Sequence, residues 1–263
     1  MRAYFGIGIS GGYRKGAAIM KIHGRKLMAI MEVKGKALFS KNFIIMPVFS
    51  IGFTIVMKIV YGQVMSGSGA DMSAYVLSLG VLMNICMSGI YCPAASLAEE
   101  KEKHTLRTLM TSSVNGMEFF LGSLIPATVM VMLVNIILVF ISGMGMTGSQ
   151  WLIYILMTLL ASLTGGILGM LFGIFAKNQM SAGTMTTPLL VVFMMIPMFS
   201  AINDVLETIS GFLFTGVVMN VISNISQAKP SVDAMDLFVT AAEIIIVSAL
   251  FMVLYKKNGF EAE

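Results

Sequence analysis

The sequence is poor in charged residues. Asp, Glu, Lys and Arg make up 11% of its 263 residues, against about 25% in a typical soluble domain, whereas 57% of the residues are hydrophobic. The mean hydropathy is +0.89. This composition argues against an ordinary soluble enzyme and is typical of a chain that is surrounded mostly by lipid.

Residues that usually build metal or catalytic sites are also scarce. The two cysteines, Cys86 and Cys92, stand six positions apart in one apolar stretch, so on a helix they point in different directions and favour neither a disulfide nor a metal site. The two histidines, His23 and His104, lie in basic segments where we expect them to be solvated. The sequence has no Gly-x-x-x-x-Gly-Lys-Ser/Thr phosphate loop. We therefore predict no catalytic residue, no metal and no cofactor bound by this chain itself.

Six apolar runs are long enough to cross a bilayer, which takes about 20 residues of helix. They predict an all-α polytopic membrane protein with a single transmembrane domain over residues 1–263. This domain divides into a leader with an interfacial helix (1–42), a six-span bundle (43–255) and a short tail (256–263). The fifth run is the shortest and contains two prolines, which predict a kink or a tilted entry. The predicted spans are Phe43–Tyr61, Ala74–Leu97, Phe119–Ser142, Trp151–Ala176, Thr184–Ile202 and Ala234–Tyr255.

Basic residues are strongly biased to one side of these spans. Fifteen of the seventeen Lys and Arg residues fall before the first span, after the last, or in the even-numbered loops. The positive-inside rule then places both termini in the cytoplasm. The basic flanks favour anionic lipid headgroups rather than nucleic acid as the partner of this charge.

The segment before the first span is too charged to cross a membrane. Residues 21–42 mix Lys and Arg with apolar residues, which predicts an amphipathic helix on the inner leaflet, with a solvated cytoplasmic helix as the alternative. The first nineteen residues read either as a misassigned start, with Met20 opening the chain, or as a disordered leader.

The longest external connection, residues 203–233, contains an apolar run, Phe212–Ile222, that is too short to span. We predict that this run is interfacial or re-entrant. It serves either as an external gate or as a structural cap.

Residues 97–123, called the charged loop from here on, join the second and third spans with the sequence LAEEKEKHTLRTLMTSSVNGMEFFLGS. Its first half is rich in helix formers and carries Leu106 and Leu109 on one face, and Asn115 with Glu118 predicts a capping box that starts the next span. The loop is therefore predicted to be ordered. Its apolar edge either binds a cytoplasmic partner or rests on the bundle and the headgroups.

Two further features lie within the spans. The fourth span carries small residues at four-residue spacing, Ala161, Gly165, Gly169 and Gly173, which predict close helix packing within the chain or with another chain. The sixth span carries Glu243, a costly residue at membrane depth. It is either a cation, proton or cationic-substrate site, or it bonds to polar groups on neighbouring spans such as Asn84 or Asn135.

The charged loop resembles the cytoplasmic loop of the type-2 ATP-binding-cassette permease family. That family's pattern is roughly E-x-E-x-G-T-L-E-x-L, then S-P-V-S, a Glu and G-K, and this chain has EKEKHTLRTL over residues 100–109, Ser113-Val114, Glu118 and Gly122. The six spans and a closing Tyr-Lys-Lys-x-Gly-Phe are similar too. The sequence departs from the pattern at His104 and Arg107, which replace Gly and Glu, at Ser123, which replaces Lys, and in lacking a Pro after Ser113.

The resemblance implies that the loop is a coupling helix that docks on a separate nucleotide-binding subunit, which would hold ATP and Mg²⁺. It also implies a second permease, identical or different, and a plasma-membrane location that fits a bacterium. The docking residues implied by position are Glu99, Glu100, Glu102, Thr105, Leu106, Arg107 and Leu109.

On this basis the sequence predicts the permease subunit of an ATP-driven exporter whose substrate is unidentified. Two other functions stay open: a secondary transporter driven by an ion gradient, which should show paired broken helices in two similar halves, and a non-transporting membrane immunity or assembly protein, which should have no ATPase partner.

Overall fold

The computed structural model describes residues 23–64, 72–103, 116–227, 229 and 232–258. Its regular structure is helical throughout these ranges. Within this part of the chain, six helices are long and apolar enough to cross a membrane. They are called spans 1 to 6 below: Asn42–Val64, Ser73–Glu102, Gly116–Ser142, Gly148–Phe175, Gln179–Met198 and Ala234–Leu254. The predicted all-α polytopic fold is therefore confirmed.

The end of the bundle that carries the N-terminal helix, Gly24–Leu38, is called the basic end here. This helix buries Ile30, Lys34 and Leu38, which recur every four residues and so share one face. It packs along the start of span 3, where Gly122 leaves room for it: a Cβ at Gly122 would lie 2.6 Å from a methyl carbon of Ile30.

Span 2 is the centre of the bundle. Of its most apolar window, 83% is buried inside the protein, against 22% in spans 1, 5 and 6, which turn most of their side chains outward. Span 2 is also irregular, because its middle, Ile85–Tyr91, is a π-helix, and the N–H of Cys92 bonds five residues back to Met87. Pro93 follows and has no N–H to donate. The π-helix therefore lies where the regular series of backbone hydrogen bonds is interrupted.

The beginning of span 5 differs from the prediction. The helix begins at Gln179, five residues before the predicted Thr184, because Asn178 caps it: the Asn178 side chain accepts a hydrogen bond from the Ser181 N–H at 2.8 Å, and the Ser181 hydroxyl accepts one from the Asn178 N–H at 3.1 Å. Span 5 is the shortest of the six, as expected.

At the opposite end, the external connection forms two helices, Asp204–Ser210 and Phe214–Ser226, bent by 103°. The second buries Phe214, Val217, Val221 and other residues against spans 2, 4 and 5. Its depth relative to a bilayer stays a prediction.

Span 3 ends at Ser142, and the next residue is Gly143, whose φ of 81° suits glycine and whose N–H bonds back to the Val139 carbonyl at 3.1 Å. Lys58 of span 1 donates to the Ile141 carbonyl at 2.7 Å and so also holds this helix end.

Candidate coupling site at the basic end

The last four residues of span 2 are charged, and the final three, Glu100, Lys101 and Glu102, are called the charged triplet here. Successive residues of a helix point about 100° apart, so three neighbours around the end of span 2 can each meet one member. Each member contacts a different element of the bundle.

Glu100 forms an ion pair with Lys34 of the N-terminal helix. Only 4% of the Lys34 side chain and 17% of the Glu100 side chain are exposed, and the Lys34 ammonium also lies 4.5 Å from the centroid of the Phe119 ring. Burial lowers the pKa of Lys34, and the neighbouring Glu100 carboxylate opposes this shift. A buried lysine needs such a partner, because leaving a charge alone in an apolar surrounding is costly.

Lys101 caps the end of span 4. Its ammonium donates to the Ile174 carbonyl and, at 3.4 Å, to the Ala176 carbonyl. The last carbonyls of a helix have no partner within the helix and carry partial negative charge, so a cation stabilises them.

Glu102 meets the beginning of span 5. Its carboxylate accepts a hydrogen bond from the Gln179 N–H at 3.3 Å, an exposed and long contact. The first N–H groups of a helix attract an anion for the same reason that the last carbonyls attract a cation. The two contacts together fasten the turn between spans 4 and 5 to the end of span 2.

Two more polar contacts lie at the basic end. Glu99 pairs with Lys103 one turn later, and this contact raises the pKa of the exposed Lys103. Glu118, buried at the start of span 3, accepts a hydrogen bond from the His23 N–H at 2.8 Å and lies 3.2 Å from the His23 ring. His23 was expected to be solvated, and although its side chain is 61% exposed it also forms this contact.

The implied docking residues divide into two groups. Glu99, Glu100 and Glu102 lie in span 2, and the carboxylate of each contacts another group of the same chain. Thr105, Leu106, Arg107 and Leu109 fall in residues 104–115, outside the described residues, as does Asn115 of the predicted capping box. The docking role of all seven stays a prediction.

Lys34 was not singled out from the sequence, although a signal was present. It stands between Ile30 and Leu38 at four-residue spacing, on the apolar face of an amphipathic helix. A cation in that position indicates a buried ion pair, but only the folded chain identifies its partner.

The stripe on span 4 packs against span 2 of the same chain. A Cβ at Gly169 would lie 2.1 Å from the Ile90 carbonyl oxygen, and one at Gly173 would lie 2.9 Å from the Ala94 carbonyl oxygen. Gly165 faces Ile90 and Ile85, and Ala161 is fully buried. These contacts bring the two helix backbones together next to the π-helical turn.

The polar residues of the spans form two separate sites. The Asn84 amide donates to Asn135 at 2.8 Å and to the Val131 carbonyl at 3.0 Å, and the Tyr154 hydroxyl donates to the Asn135 carbonyl at 2.8 Å. Glu243 belongs to the second site, where its carboxylate lies beside the backbone of Phe214 at the start of the second external helix and its Oε2 is buried without a hydrogen-bond partner in the part of the chain that the structure describes. Among the described residues no hydrogen bond joins Glu243 to Asn84 or Asn135, which bond to each other, and the role of Glu243 stays a prediction.

Among the described residues, no group of three or more His, Cys, Asp or Glu side chains could hold a metal ion.

No curated protein matches the chain in a sequence comparison. The sequence profile described as ABC-2 type transporter matches residues 33–209, a range that begins just before Lys34, includes the charged triplet, and ends in the first external helix. With two thirds of its length matched, the chain belongs to the ABC-2 type transporter family and is a membrane-embedded permease component of an ATP-binding-cassette transporter.

Proposed function

We propose that this chain is the permease subunit of an exporter whose energy comes from ATP hydrolysed on a separate nucleotide-binding subunit. That subunit would hold the ATP and Mg²⁺, and a second permease, identical or different, would complete the membrane-spanning part. The location would be a plasma membrane, with both termini in the cytoplasm and a bacterial origin. The chain would contribute the pathway for an unidentified substrate.

The observation that carries the proposal is how span 2 ends. The helix continues past its apolar part into the charged triplet, and the triplet contacts three other elements just before the chain enters residues 104–115. A force applied to the charged loop would therefore act on an anchored helix end. This arrangement suits a loop that is pushed or pulled by a partner.

A pull-down from native membranes in mild detergent, followed by mass spectrometry, tests the proposal. The tagged chain should bring down a phosphate-loop ATPase in stoichiometric amount. Leu106→Asp should abolish the association, and so should Glu102→Lys combined with Leu106→Asp. The single variant is the cleaner test of docking, because Glu102 also contacts Gln179 within the chain.

A matched control lies at the other end of the bundle. Glu207 is an exposed acidic residue of the first external helix, and Val205 is an exposed apolar one. Glu207→Lys with Val205→Asp therefore makes the same kinds of substitution at that end as the double docking variant. This control should retain the ATPase. A chain that purifies without any ATPase, or a docking variant that retains it fully, would contradict the proposal.

A further inference from the structure

The charged triplet fastens the last turn of span 2 on three sides. The N-terminal helix is held through Lys34, the end of span 4 through the Ile174 and Ala176 carbonyls, and the start of span 5 through the Gln179 N–H. All three contacts lie within a single helical turn. The end of span 2 therefore cannot move sideways unless its neighbours move with it or a contact breaks.

Besides its apolar packing, the N-terminal helix is joined to spans 3 and 2 by polar contacts. Its first turn is held to span 3 by His23 and Glu118, and its third turn to span 2 by Lys34 and Glu100. Spans 2 and 3 are the two helices that the charged loop connects. The N-terminal helix thus bridges both ends of that loop, and Lys34 is its ionic link to span 2 among the described contacts.

We infer that Lys34 and the charged triplet are positioning residues that make the N-terminal helix and the turn between spans 4 and 5 move as one unit with the charged loop when the ATPase acts on it. The inference rests on the proposed function. It assigns to Lys34 a role in transmitting movement rather than in docking. Without Lys34, the N-terminal helix would keep its packing on span 3 but only apolar contacts with span 2, around Leu38.

Distances between spin labels in the complex with the ATPase test this role. Ala29 and Met180, exposed on the N-terminal helix and at the start of span 5, would be replaced by cysteine and labelled. The native Cys86 and Cys92 are both fully buried, so labelling is directed to the new positions. Dilution with unlabelled chain restricts the signal to pairs within one chain.

A reference pair reports whether the basic end moves at all. It joins Ala29→Cys to Gly145→Cys, an exposed position in the turn between spans 3 and 4 where a Cβ meets open space. Between the nucleotide-free complex and the complex trapped with ATP and vanadate, the reference distance should change. The distance from Ala29 to Met180 should stay the same, because both positions belong to the same unit.

Lys34→Met should release the N-terminal helix. The distance from Ala29 to Met180 should then differ between the two states, while ATPase binding stays within about two-fold. The charge swap, Lys34→Glu with Glu100→Lys, should restore the constant distance. If Lys34→Met does not accumulate, Lys34→Gln removes the same cation with little change of shape and leaves Glu100 in place.

The matched control is Lys36→Met, which removes an exposed ion pair with Glu32 on the same helix and should leave both distances as in the parent chain. The inference is overturned if the distance from Ala29 to Met180 changes in the parent chain, if it stays constant in Lys34→Met and Lys34→Gln, or if the reference distance never changes. These outcomes all require a bound ATPase. Absence of any ATPase from the purified complex would instead contradict the proposed function.

Discussion

Span 2 makes polar contacts with neighbouring elements both in its middle and at its basic end, and the two sets of contacts differ in chemistry. In its middle, neutral amides bond to each other and backbone carbonyls lie against glycines of span 4. At its basic end, the buried contact is ionic, and the neighbouring ones join charged side chains to helix ends. Close backbone packing has one geometry, whereas ionic contacts can be broken and remade singly. The comparison suggests a fixed middle and an end that can transmit movement.

The largest effect is expected from breaking the middle at Gly169. In Gly169→Leu the new side chain would begin 2.1 Å from the Ile90 carbonyl oxygen, a fixed backbone atom, so spans 2 and 4 would be forced apart. We expect the free energy of unfolding to fall by at least about 3 kcal/mol. In detergent this loss would appear as little folded protein or as a strongly lowered temperature of the thermal transition.

Gly52→Leu is the control for that variant, since no atom of the described chain lies within 4 Å of a Cβ placed at Gly52. Equal melting temperatures for the two variants would show that spans 2 and 4 are not closely packed at Gly169.

The next effect tests the basic end. Lys34→Met removes one member of a buried ion pair and should cost about 3 kcal/mol, because the Glu100 carboxylate loses its buried cation. Lys34→Met combined with Glu100→Met should recover most of that loss, since apolar residues of similar volume can replace a buried ion pair. Thermal unfolding of the parent, the two single variants and the double variant measures both effects. If the free-energy losses of the two single variants simply add up in the double variant, the two side chains do not interact.

The smallest effect is expected at the neutral pair in the middle. Asn84→Leu leaves Asn135 without the Asn84 amide and should cost about 2 kcal/mol. Replacing both asparagines by leucine should cost less than the sum of the single changes, because neither amide is then left without the other. If the double change costs the full sum, the two amides contribute independently and the contrast with the basic end weakens.

The sequence was a good guide wherever hydropathy and charge act over many residues. The six spans follow from apolar runs, and the helix before span 1 follows from its amphipathic pattern. The start of span 5 was misplaced because the Asn178–Ser181 capping box is a local signal that the hydropathy of the region hides. The π-helical turn was not predicted either, although Pro93 marks its end.

The candidate site was harder to predict because its contacts join residues far apart in the chain. Glu100, Lys101 and Glu102 were recognisable as a charged group, but not their three separate partners, since two of these are backbone groups at helix ends. Helix ends carry no side-chain signature of the residue that will cap them. Lys34 could have been suspected from its place on an apolar face, but its partner could not.

The π-helical segment of span 2, Ile85–Tyr91, affects the directions in which side chains before and after it point. It sets the angle between the part of the span that carries Asn84 and the part that carries the charged triplet. Deleting one residue from Ile85–Tyr91 would rotate everything after it by about 100° relative to everything before it. Glu100 would then turn away from Lys34, and Lys101 and Glu102 away from the ends of spans 4 and 5. The number of residues in this π-helical segment thus determines which neighbour each residue of the charged triplet contacts, even though the triplet itself is unchanged.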